Sequence, residues 1–74
     1  MTDTQLFVLL NFIRDKNIES LALTGNKLTE NCLTMFLSCQ LPYLKEIYLG
    51  KNPINKSGLK ENIIELKSKF LLYI

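Results

Sequence analysis

Histidine is absent from this 74-residue chain. That removes the commonest general base, and with it the usual serine or cysteine triads. Only two cysteines are present, Cys32 and Cys39, and no acid–base partner lies near either in sequence. They fall seven residues apart on an expected helix, about 10 Å along its axis. A disulfide needs Cα atoms about 4.4–6.8 Å apart, so the two thiols are expected to stay free. Free thiols suit a reducing compartment, and a cytoplasmic location is the expectation. No zinc-type spacing occurs, so neither a metal nor another cofactor is expected. The three glycines form no phosphate loop; Gly25 and Gly50 lack the G-x-x-x-x-G-K context. Charge of one sign is also scarce. A net charge of +2, with Lys60 and Lys67 interleaved with Glu61 and Glu65, gives no basic surface for nucleic acid or anionic membrane. Long hydrophobic runs are missing too. The N-terminal MTDTQLFVLLNFI lacks a basic leader and is broken by Asn11, so it reads as neither a signal peptide nor a membrane span. Asn55-Lys56-Ser57 matches a glycosylation acceptor, which without export goes unused.

Apolar residues make up 47% of the chain, enough for one small core and too many for a disordered tail. Their arrangement repeats. Ile18, Leu21, Leu23, Asn26 and Leu28 recur as Leu44, Ile47, Leu49, Asn52 and Ile54, every interval being 26 residues. Both segments read L-x-x-L-x-L-x-x-N-x-L. A fixed period between 20 and 50 residues is the mark of stacked supersecondary units. The surrounding pattern supplies the elements. Leu6, Leu9, Leu10 and Ile13 make a helical stripe over 4–15, with Asp3 or Thr4 as its cap. Ile18 to Leu23 alternates as a strand, and Thr24, Gly25 and Asn26 form a turn. Thr29 and Glu30 open a second helix with Leu33, Phe36, Leu37 and Gln40 on its apolar stripe, ended before Pro42. The unit then recurs. Leu44 to Leu49 is a strand, Gly50-Lys51-Asn52 a turn, and a helix capped by Asn55 or Ser57 carries Leu59, Ile63 and Leu66. Phe70 to Ile74 begins a third strand on the same period. The chain therefore divides into a helix over 4–15, repeats over 18–43 and 44–69, and a partial strand over 70–74, all in one domain. Cys32 stands one period before Gly58, where a small residue would let the helix approach the sheet.

Helices between the strands make the strands parallel. The expected architecture is α/β: a short, three-stranded parallel sheet with helices on one face. Asn26 and Asn52 follow the strands where the chain turns inward. An asparagine side chain, with one acceptor and two donors, can satisfy loop backbone that stacking would bury unpaired.

The two eleven-residue signatures resemble leucine-rich repeats. The helix between strands and the asparagine in the loop are similar to the ribonuclease-inhibitor-like subtype, also seen in Ran-GTPase-activating proteins and cytosolic immune receptors. The resemblance implies a solenoid fragment that binds a protein partner through its open, concave sheet face. It also admits regulation of a GTPase or another enzyme, although no residue here matches such a role and fold alone does not transmit function. The period of 26 is shorter than the subtype's usual 28 or 29.

On the open face the expected rows are Ser20–Glu46–Leu72 and Ala22–Tyr48–Ile74, flanked by Glu19, Lys45 and Leu71, with Thr24 and Gly50 beyond. Tyr48 is central, and tyrosine is enriched where interfaces concentrate their energy. The ends of the stack suggest a different use. The first helix carries Phe7, Val8 and Phe12 beside its core stripe, where a terminal cap should be polar. At the other end, Phe-Leu-Leu-Tyr-Ile is an apolar edge strand open to pairing. Self-association through these ends, as a homo-oligomeric assembly subunit, is the alternative expectation. The initial methionine followed at once by a helix weighs weakly against a piece cut from a longer array.

Overall fold

The structure is a computed structural model that describes all 74 residues. Helix α1 (Asp3–Ile13) is followed by β1 (Ser20–Ala22), α2 (Asn31–Ser38), β2 (Glu46–Tyr48), α3 (Lys60–Lys69) and β3 (Leu71–Tyr73). The strands form one parallel sheet in the order β1-β2-β3. Each regular strand is three residues long, shorter than the apolar alternation suggests. The ladder nevertheless continues past it: Leu23 N donates to Tyr48 O (2.8 Å), and Gly25 N to Gly50 O (2.9 Å).

Local chemistry sets the helix ends. The cap of α1 is Thr2, not Asp3 or Thr4. Thr2 Oγ1 accepts from Gln5 N while Thr2 N donates to Gln5 Oε1 (2.9 Å), a reciprocal capping box. Asp3 is displaced to the first turn, where its carboxylate accepts from the backbone N–H (3.0 Å) and the hydroxyl of Thr29, tying α1 to the start of α2. Helix α2 ends at Ser38, so Cys39 is the first residue past it, in extended backbone, and Gln40 lies exposed outside the helix. Asn55 does not cap α3. Its Oδ1 accepts from Ser57 N (3.0 Å) in a tight turn, and Gly58 then takes φ +79°, a left-handed conformation that glycine adopts without cost. The helix begins two residues later. Gly58 is therefore a loop residue with open space around it, not a counterpart of the buried Cys32 on a helix face.

The core is wholly apolar. Leu6, Leu10 and Ile13 of α1, Cys32, Leu33 and Phe36 of α2, Leu66 of α3 and Ile47 of the central strand belong to one buried cluster, in which α2 packs against both α1 and α3. Leu28, Leu41, Leu44, Leu23 and Leu49 close it at the loop ends, and no polar side chain is buried. One sheet face, through Leu21, Ile47 and Leu72, packs on this core; the other is open.

Asn26 and Asn52 bond the loop backbone as the repeat pattern anticipates, but unequally. Asn52 Nδ2 donates to Leu23 O (2.9 Å), Leu49 O (2.9 Å) and Gly50 O (3.2 Å), and its Oδ1 accepts from Asn26 N and Leu28 N, both at 3.1 Å. It thus joins two successive loops. Asn26 Nδ2 donates only to Leu23 O (2.9 Å), and its Oδ1 accepts from the Met1 amine (2.9 Å). The left-handed turn position falls on Gly25 (φ 76°) and, one period later, on Lys51 (φ 58°), so the second turn holds a side chain where the first has none.

Candidate functional site: the open sheet face

The pairing of β1 with β2 keeps the 26-residue interval: Ser20 lies beside Glu46, Leu21 beside Ile47 and Ala22 beside Tyr48. The pairing of β2 with β3 does not. Glu46 lies beside Leu71, Ile47 beside Leu72 and Tyr48 beside Tyr73, an interval of 25. Relative to its strand, α3 starts three residues later than α2 and runs two residues longer. A single residue, Phe70, then separates it from the next strand, where seven separate α2 from β2. The net loss is one residue. Because side chains alternate along a strand, a slip of one exchanges its faces.

The expected rows are corrected accordingly. Leu72 and Ile74 turn toward the core and are partly buried against it. Leu71 (57% exposed) and Tyr73 (49% exposed) take their places on the open face. The rows are Ser20–Glu46–Leu71 and Ala22–Tyr48–Tyr73. Ser20, Ala22, Glu46 and Tyr48 stand where the alternation placed them. Tyr73 is the open-face residue that sequence reasoning missed. Its signal is weak because Phe70 to Ile74 are apolar apart from the Tyr73 hydroxyl, and a run without polar alternation carries no phase.

The slip creates an aromatic pair. The rings of Tyr48 and Tyr73 stack with centroids 4.6 Å apart and planes 6° from parallel. Tyr48 Oη donates to Glu46 Oε2 at 2.5 Å. This bond to a carboxylate favours the neutral phenol and holds the Tyr48 pKa above its ordinary value, with partial burial, the Glu46 charge and Tyr73 adding to the shift. Nearby, Lys45 Nζ pairs with Glu19 Oε2 (3.0 Å) on the exposed rim.

The end surfaces also hold their expected residues. Phe7, Val8 and Phe12 are 52%, 65% and 66% exposed on α1, with Lys16 Nζ 5.0 Å from the centre of the Phe12 ring. A shallow cleft of about 380 Å³ runs between α1 and the end of α2, lined by Phe7, Asn11, Arg14, Ser38, Cys39 and Gln40. Both cysteines are free. Burial pushes the Cys32 thiol up to about 12, and the charge of Asp3 adds to it. No helix is long and apolar enough to cross a membrane. Comparison with protein-family models, with curated proteins and with solved structures gives no match.

Proposed function

We propose that the chain is a short leucine-rich-repeat unit of the ribonuclease-inhibitor-like type, without catalytic activity, that binds a protein partner through the open face of its sheet. The loop-joining Asn52 and the 26-residue register of β1 on β2 support the repeat reading. The observation that carries the functional reading is the stacked Tyr48–Tyr73 pair on the open face, Tyr73 exposed and Tyr48 half-buried, beside Glu46 and Leu71. Stacked rings on a sheet are already ordered, so a partner covering them gains apolar burial at little entropic cost. The test is affinity capture with the chain as bait, in parallel with Tyr48→Ala and with a Val8→Lys, Phe12→Lys double variant. A partner held by the wild type and the double variant, with affinity lowered by about 1–2 kcal/mol or more in Tyr48→Ala, supports this reading. A partner indifferent to Tyr48 refutes it.

A second reading is favoured by the exposure of Phe7, Val8 and Phe12 on one helix face. The chain would then be an assembly subunit that self-associates through α1 and the free edge of β3. Light scattering over a tenfold concentration range tests it: an oligomer that the Val8→Lys, Phe12→Lys variant dissolves would place assembly first, and a monomer of 8.6 kDa throughout would eliminate it.

A further inference from the structure

The row Ala22–Tyr48–Tyr73 combines one methyl group with two rings. The ring separation of 4.6 Å matches the spacing of adjacent strands, about 4.8 Å, so each ring stands upright above its own strand. Tyr73 covers one face of Tyr48. On the other side the neighbour is the exposed Ala22, whose methyl is too short to cover a ring. A one-sided slot is left above β1, the edge strand, open to solvent on its outer side and walled by the ring of Tyr48. The adjoining row extends it. Ser20, exposed on β1, continues the floor, and Glu46 continues the wall.

Glu46 lacks a cation. The ion pairs of the chain are Lys16–Asp15, Lys45–Glu19 and Lys69–Glu65. Lys45, its neighbour in sequence, is engaged by Glu19. Glu46 Oε2 accepts from Tyr48, while Oε1 has no hydrogen-bond partner. The slot therefore has an aromatic wall, a free carboxylate oxygen and a floor small enough to admit a planar group.

We propose that this slot takes an arginine side chain from an extended partner segment, its guanidinium stacked on the Ala22 side of Tyr48 and donating to Glu46 Oε1 and Ser20 Oγ. The inference rests on the open face being the partner-binding surface. A guanidinium is flat enough to continue the Tyr73–Tyr48 stack by one more layer. It is attracted by the ring face and bonds a carboxylate in the plane of its N–H fork. A carboxylate in the slot would be repelled by Glu46. A neutral planar group would desolvate Glu46 without compensating it.

The test is a titration of the ¹⁵N-labelled chain, followed by NMR, with three end-blocked tripeptides: Gly-Arg-Gly, the same peptide with neutral citrulline for arginine, and Gly-Glu-Gly. The arginine peptide is expected to shift the amides of Ser20, Ala22, Glu46 and Tyr48 saturably. Binding should weaken about three- to tenfold with citrulline, or with Glu46→Gln, from loss of the cation–ring and charge-assisted contacts. Ala22→Leu fills the slot and should abolish the shifts while the rest of the spectrum stays in place. Equal binding of citrulline, or an unaltered Glu46→Gln, overturns the guanidinium assignment but leaves the open-face reading standing. Shifts confined to α1, or to the lysines at 45, 67 and 69, or no shifts with any peptide, also overturn it. The open-face reading is then decided separately by partner capture with Tyr48→Ala, which does not depend on arginine.

Discussion

Asn26 and Asn52 occupy the same place in the repeat, yet their removal should have very different consequences. Asn52→Ala deletes the acceptor of Asn26 N and Leu28 N, two backbone donors in partly buried loop that have no other partner. It also removes the side-chain donor of Leu49 O. Leu23 O and Gly50 O keep other donors, Asn26 Nδ2 and Gly25 N. An unsatisfied buried polar group costs about 1–3 kcal/mol. With two donors stranded and water able to reach them in part, the loss should be about 2–4 kcal/mol. Asn26→Ala strands nothing comparable, because Leu23 O retains the Asn52 amide (2.9 Å) and the Met1 amine is exposed. Its cost should be one ordinary hydrogen bond, about 0.5–1.5 kcal/mol. A domain of this length has roughly 4–11 kcal/mol of stability in total, so Asn52→Ala removes a large share of it. Urea unfolding followed by far-ultraviolet circular dichroism resolves the two. At an m value of about 1 kcal/mol/M, the midpoints should fall by about 2–4 M and about 0.5–1.5 M. Asn52→Asp sharpens the comparison. It keeps the acceptor but sets a second carboxylate oxygen against three carbonyls, and should cost at least as much as alanine. Equal losses for Asn26→Ala and Asn52→Ala would refute the claim that one asparagine joins the two loops.

Two further outcomes follow from ionisable side chains. Tyr48 donates to Glu46, so its raised pKa should move back down in Glu46→Gln, read by ¹³Cζ NMR of labelled tyrosine; the linked stability is complete below the ordinary phenol range and is lost as pH rises through the raised folded value, and an unmoved titration would show that the 2.5 Å bond is not formed in solution. Cys32 is buried, with its thiol pushed up to about 12, whereas Cys39 lies past the helix and partly exposed, so a thiol reagent at neutral pH should modify only Cys39 in the native chain and both after unfolding; two fast sites would contradict the packing of α2.

Much of this fold is written locally. Leu6, Leu10 and Ile13 mark the core face of α1, and Leu33 and Phe36 that of α2, because helical spacing brings them to one side whatever the neighbours do. The pairs Leu21–Ile47 and Ala22–Tyr48 follow from two copies of one signature at one interval. The asparagines are legible for the same reason, although the signature hides their inequality. Asn52 has a preceding loop to hold, and Asn26 has only the Met1 amine and its own turn.

The phase of β3 is different in kind. Alternation does not mark it, since Phe70 to Ile74 are apolar apart from the hydroxyl of Tyr73, the one group that distinguishes the two faces. It is set upstream, where the Asn55–Ser57 turn and Gly58 delay α3 by three residues, and by the absence of a proline like Pro42 between helix and strand. Phe70 N bonds Leu66 O (2.8 Å) as the helix closes, and the next residue is already in the sheet. The position of Tyr73 beside Tyr48 is thus a property of the whole second repeat. Had the 26-residue interval held, Ile74 would lie against Tyr48, and the open face would present an aliphatic patch instead of an aromatic stack. Inserting one residue after Lys69, with the 25-residue spacing kept, would set Leu72 against Tyr48 and drive Leu71 and Tyr73 inward in place of Leu72 and Ile74. The core accepts Leu72 where it would have to bury a tyrosine hydroxyl without a partner, so packing favours the shorter interval.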